Sequence, residues 1–187
     1  WNTTNPVSYC EGKPIKQGRF SKTKNGLFVL REKQVFKYSK NSQEIKVAGL
    51  IKTTENEKLY VSEDNDMFIY DKAVEKINKN GNREAIIKFK KPISTIFSEG
   101  DNLFISFKHS GLVYHNLKTN KTTDYRKNRL LSRNLPAGAT SFHLEGKRLW
   151  LGNDESGLYE LDVTNIESPK LVQHHTYDRT NPKSFSS

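Results

Sequence analysis

Leu149-Trp150-Leu151-Gly152-Asn153-Asp154-Glu155-Ser156-Gly157-Leu158-Tyr159-Glu160-Leu161 sets an aromatic between two aliphatics, then a polar gap, then a second apolar phrase. The same pair of phrases occurs three more times. Leu27-Phe28-Val29 precedes Val35-Phe36-Lys37-Tyr38, Leu59-Tyr60-Val61 precedes Met67-Phe68-Ile69-Tyr70, and Leu103-Phe104-Ile105 precedes Leu112-Val113-Tyr114-His115. The first leucines stand at 27, 59, 103 and 149, at intervals of 32, 44 and 46 residues. Repeats of about 40–50 residues mark four-stranded propeller blades, and a lone sheet of this kind must stack on another to bury both faces. The expected fold is all-β, a β-propeller region of about four consecutive four-stranded blades near 15–48, 49–90, 91–127 and 138–177, with 178–187 leading toward a further blade. A two-sheet sandwich is the competing architecture, but it does not require an aromatic at one position of every second strand.

Alternation around each phrase predicts the strands in detail. In the last unit they fall at about Thr140–Leu144, Arg148–Gly152, Leu158–Asp162 and Leu171–Tyr177, with a turn at Glu145-Gly146-Lys147 and a loop at Asn153–Gly157. The third unit repeats this with Ile93–Phe97, Leu103–Phe107, Leu112–Asn116 and Thr122–Arg126. The first two units are more compact, with first turns at Lys24-Asn25-Gly26 and Glu55-Asn56-Glu57. Helical periodicity is nearly absent; Ala73 to Asn78 is the one stretch that reads as a turn of helix.

A chain of 187 residues carries one good core, and its single cysteine, Cys10, excludes an internal disulfide and any cysteine-based metal cluster. The net charge of +10 raises the question of a polyanion, whose footprint would be a clustered basic stripe. Here Lys22, Lys24, Arg31, Lys33, Lys37 and Lys40 are interspersed with polar and apolar positions, so the basic surface reads as solvated and no nucleic-acid partner is expected. No apolar run approaches the roughly 20 residues that span a bilayer. The residues Trp1 to Ser8 lack the basic start and apolar stretch of a signal peptide.

The stretch Leu149–Leu158 resembles the "LWIGT-x-x-G-G-L" core of the two-component regulator propeller repeat. The phrase Asn181-Pro182-Lys183-Ser184-Phe185-Ser186-Ser187 is similar to the "N-P-x-S-L-S-S" that often precedes the innermost strand in that family, and Leu130–Pro136 resembles the corresponding approach to the fourth unit. The likeness covers Leu130–Ser187; in the first three units Phe28, Tyr60 and Phe104 stand where the family has tryptophan. The resemblance implies an extracytoplasmic, periplasmic sensor region of a hybrid two-component histidine kinase of Bacteroidetes type, built on a larger ring of about seven blades. It implies an oligosaccharide or other glycan-derived ligand, no cofactor, and membrane contact only through segments outside these residues. Its other partners would be the remaining blades or a second copy of the chain. An open arc of blades would bind such a ligand weakly.

Enzyme motifs are poor. Ser21-Lys22-Thr23-Lys24 fits S-x-x-K without a supporting motif, and Asp64-Asn65-Asp66 lacks the rest of a calcium loop. His174 and His175 are adjacent on a strand and so point to opposite faces, away from any shared metal. Trp150 and Tyr159 occupy repeated slots and are expected to pack between blades. The chain is read as non-catalytic, with a propeller-scaffold lyase or hydrolase, or a protein-binding scaffold, as the alternatives. Loops joining second to third strands, and those joining one blade to the next, emerge on one face, where ligands commonly dock. Arg31, Asp64, His109, Arg133, Asn153 and Asp154 are the candidate ligand residues there, together with Glu32, Asn65, Lys108 and Asn134.

Overall fold

A computed structural model describes residues 9–10, 13–14, 20–31, 33–38, 44–47, 49–108, 111–136 and 138–176. A two-stranded ribbon, β1 (Tyr9–Cys10) and β2 (Lys13–Pro14), precedes four antiparallel four-stranded sheets whose strands pair in chain order. The first sheet is β3 (Phe20–Thr23), β4 (Gly26–Arg31), β5 (Gln34–Tyr38) and β6 (Glu44–Lys46). The second is β7 (Lys58–Val61), β8 (Met67–Tyr70), β9 (Ala73–Ile77) and β10 (Arg83–Lys88). The third is β11 (Thr95–Glu99), β12 (Asn102–Phe107), β13 (Gly111–Asn116) and β14 (Thr122–Asp124). After a 3-10 turn, Tyr125–Lys127, and a short helix α1 (Arg129–Asn134), the fourth sheet follows: β15 (Ser141–Glu145), β16 (Arg148–Asn153), β17 (Gly157–Asp162) and β18 (Lys170–His175). The chain is all-β in architecture, with each sheet a propeller-type blade. The phrase Asn181–Ser187 lies outside the described residues.

Two compact units divide the chain after Lys88. In the first, Phe28, Leu30 and Val35 of one sheet bury against Leu59, Val61, Ile69 and Ile77 of the next, with Ile51 as a plug from the connection. In the second, Phe104, Leu112 and Tyr114 meet Leu149, Leu151, Tyr159 and Leu161. The Phe97 and Phe142 rings stack with centroids 6.0 Å apart, and Phe104 lies 6.4 Å from Phe142. Offset ring pairs of this kind add to what burial alone gives.

The register of the second sheet differs from the sequence reading. Ser21 Oγ accepts from Val61 N–H at 2.9 Å and lies 3.3 Å from Val61 O, so β3 and β7 run side by side as the first strands of their sheets. In the other unit β11 and β15 adjoin in the same way. Leu59-Tyr60-Val61 therefore forms a first strand rather than a second, and Met67-Phe68-Ile69-Tyr70 takes the place expected for the leading phrase. Counted from 27, 67, 103 and 149, the repeat runs at 40, 36 and 46 residues. The residues from Gly49 to Thr54 are strand-like in composition but join no ladder. Ile51 N–H instead bonds to Lys33 O at the β4–β5 turn, and Arg83 holds Lys52 O at 2.5 Å and the Glu57 carboxylate at 2.5 Å while also pairing with Glu75. The segment beginning at Ala73, expected as helix, is β9: Val74 pairs with Tyr70, so its apolar residues serve a ladder. The expected outer strand Thr122–Arg126 stops at Asp124, whose carboxylate accepts from Arg126 N–H at 3.0 Å and starts the 3-10 turn.

Tyr125 latches the third sheet to the fourth. It is buried, and its hydroxyl donates to Ile166 O in the loop before β18. Burial pushes its pKa up, so the donor stays protonated at any ordinary pH. Tyr125→Phe leaves the Ile166 carbonyl without that donor and is expected to cost about 1–3 kcal/mol. A lowered urea midpoint with an unchanged m-value checks this.

His115 is 2% exposed, with Nδ1 2.9 Å from Thr122 Oγ1. Burial holds its pKa below the ordinary imidazole value. The unfolded chain thus binds more protons than the folded one near that value. Stability is complete above the unfolded pKa and falls as pH drops through it. Acidification from about pH 7.5 to about pH 5 is expected to lower the melting temperature, and His115→Gln, which cannot titrate, should lose part of that dependence.

Candidate functional site

A recess of about 250 Å³ opens in the second unit, where the end of β12, the approach to β15 and the β16–β17 turn converge. Asn153 builds one wall. Its Oδ1 accepts from Glu155 N–H (2.9 Å), Ser156 N–H (2.8 Å) and Ser156 Oγ (2.7 Å), and its Nδ2 donates to Gly138 O at 2.5 Å. Asn116 makes the same three acceptances from Lys118 and Thr119 in the β13–β14 turn, so this is a loop-shaping device. The Asn153 amide is committed to the turn. Asp154 Oδ1 receives the Thr140 hydroxyl at 3.0 Å, which ties the turn to the β15 approach.

The opposite strand face steadies the recess from behind. His174 on β18 lies over the Tyr159 ring with centroids 3.9 Å apart and a 16° tilt. Its Nε2 donates to Ser156 O at 2.5 Å. Tyr159 is buried in the core yet lines the recess, and its hydroxyl has no hydrogen-bond partner among the described residues. Lys108, at the end of β12, and the Glu155 carboxylate are likewise unpaired among the described residues. The recess is thus lined by the exposed residues Lys108, Asp154 and Glu155 and by Tyr159, together with Leu135 and Ala139.

Of the residues expected to share one face, Asn153 and Asp154 line the recess together with Lys108. Arg133 is exposed on α1, two residues before Leu135. Arg31 ends β4 with its guanidinium 4.4 Å from the centroid of Phe36. Asp64 does not join it. Lys24 N–H donates to Glu63 Oε2 at 3.1 Å and Asn25 Nδ2 to Asn65 Oδ1 at 3.2 Å, so the β7–β8 turn lies beside the β3–β4 turn, at the other end of β4 from Arg31. That follows from the shifted register of the second sheet. His109 and Glu32 lie outside the described residues. Thr140, Glu155 and Tyr159 line the recess without being candidate ligand residues in the sequence, which reads Thr140 as the start of a strand, Glu155 as a polar-loop residue and Tyr159 as packing; Tyr159 both packs and lines the recess.

Trp150 is half-buried, whereas Phe28 and Phe104 in the matching slot are buried. Its ring lies 6.1 Å from His175, while His174 turns to Tyr159, so the two histidines use opposite faces of β18. Among the described residues no group of three or more His, Cys, Asp or Glu side chains is placed to hold a metal ion. No described helix is long and apolar enough to cross a membrane.

No family model matches the chain, and no curated protein does. Solved structures do. The extracellular domain of the putative one component system BT4673 from B. thetaiotaomicron is 15% identical with a TM-score of 0.60, over 96% of this chain and 25% of that one. The extracellular domain of the putative hybrid two component system BT3049 from the same organism is 18% identical with a TM-score of 0.50, over 86% and 24%. The N-terminal domain of Nup159 is 12% identical with a TM-score of 0.56, over 89% and 46%. The fold is that of a β-propeller. The chain spans about a quarter to a half of the length of these structures.

Proposed function

We propose that this chain is a non-catalytic ligand-recognition region of an extracytoplasmic sensor in a two-component signalling system, with a glycan-derived ligand seated in the recess at Asp154. The recess carries the reading: two loops are tied together around it, and its lining includes side chains without a partner among the described residues. The likeness to two bacterial extracellular sensor domains supports the signalling role, and the family resemblance of Leu149–Leu158 supports both the glycan and a parent ring of more blades. A site at the centre of such a ring would be incomplete in four sheets. The recess lies wholly within the second unit and needs no other blade.

Calorimetric titration of the chain against an oligosaccharide panel tests this. Binding of one member, weakened by Asp154→Ala, is the expected result; no binding, or turnover of the sugar, overturns it. A protein-binding scaffold is the second reading, favoured by neighbours solved in protein complexes, one with Nup159 bound to Dbp5 and one a mitotic checkpoint complex.

A further inference from the structure

We infer that the ligand of the recess carries both an anionic and a cationic group. This rests on the reading of the recess as the ligand seat. Lys108 and Glu155 both line the recess and are exposed there, and neither pairs with the other or with any described residue. Asp154 adds a second carboxylate, satisfied on one oxygen by Thr140. Lys108, Asp154 and Glu155 are exposed around the recess, so a neutral ligand gains nothing from their charges and only competes with the water on them. A zwitterion supplies a carboxylate to Lys108 and an ammonium to Glu155 and Asp154. The charges also fix its orientation, because reversing it would set like against like. Between them the Tyr159 hydroxyl is free to bond a polar atom of the ligand body, and the recess volume suits a single sugar or a dipeptide.

Two sources share this chemistry, an amino sugar acid and a short peptide. Muramic acid, with a free amine and a carboxylate on one sugar, and alanyl-alanine are therefore the probes, with a neutral gluco-oligosaccharide as control. Calorimetry on this chain is expected to show one zwitterion binding at least about tenfold tighter than the neutral sugar. Lys108→Met and Glu155→Gln should each weaken it by about tenfold or more, with melting temperatures unchanged. N-Acetylmuramic acid, which keeps the carboxylate and loses the amine charge, should bind more weakly than muramic acid. A neutral sugar that binds tightest, or a zwitterion whose binding neither substitution moves, overturns the inference and leaves the recess as a glycan seat. No binding by any probe, neutral or charged, overturns both.

Discussion

Phe104→Ala is expected to cost about 3–5 kcal/mol, the range for emptying an aromatic from a packed core. Phe104 is 1% exposed and touches Phe97, Tyr114 and Phe142, so its ring bridges the third and fourth sheets. A loss of that size is a large part of the stability of an ordinary domain, about 5–15 kcal/mol. Trp150→Ala removes a larger side chain from the matching slot of the fourth sheet, yet it should cost less, because Trp150 is half-buried. Denaturant unfolding of the two variants checks the order. Equal losses would mean that the Trp150 face is as fully packed as the Phe104 face.

Gly157→Ala is expected to be nearly as damaging, at about 3 kcal/mol or more. Gly157 opens β17 at φ +90, and a Cβ there would sit 2.3 Å from the His175 carbonyl oxygen on β18. Backbone cannot yield as a flexible side chain would, so β18 must move. His174 moves with it, which withdraws the ring from Tyr159 and the donor from Ser156. Hydrogen exchange at the β17–β18 ladder should accelerate, and any ligand heat at the recess should vanish with it. Gly100→Ala is the control: φ is +54 with open space around the added carbon, so only about 1 kcal/mol of backbone strain is at stake.

The period of apolar phrases was enough to read the blades, because four strands that bury between neighbours must repeat their pattern. The first turns were legible through Gly26, Gly100 and Gly146, all at positive φ. The misplaced register of the second sheet has a local origin. Ile51 and its neighbours read as a strand, but their partners are Lys33 and Arg83, and nothing in composition announces that a β-like run will plug a core instead of joining a ladder. Asp64 was carried to the wrong end with it. Asn153 and Asp154 were legible as a polar turn in a repeat. Thr140 was not, since its hydroxyl meets Asp154 through the β15–β16 register that pairs Ser141 with Gly152, and a register leaves no signature in spacing alone.

Among the described residues five cations lie over aromatic rings: Arg31 on Phe36, Lys37 on Phe28, Lys58 on Tyr70, Lys76 on Phe68 and Arg126 on Phe107. Four of the pairs are drawn from within one sheet, three of them directly opposite in a ladder, while Arg126 reaches Phe107 from the 3-10 turn after β14. A hairpin leaving the ribosome can therefore cover its own aromatic with an aliphatic stem and a charged tip before the next hairpin exists. Such a cover would act as an escort during synthesis, when bare aromatics on half-finished sheets are prone to stick to one another. Swapping these lysines for glutamates would keep the finished chain just as polar and would still cost yield, because the escort needs a cation to sit on a ring.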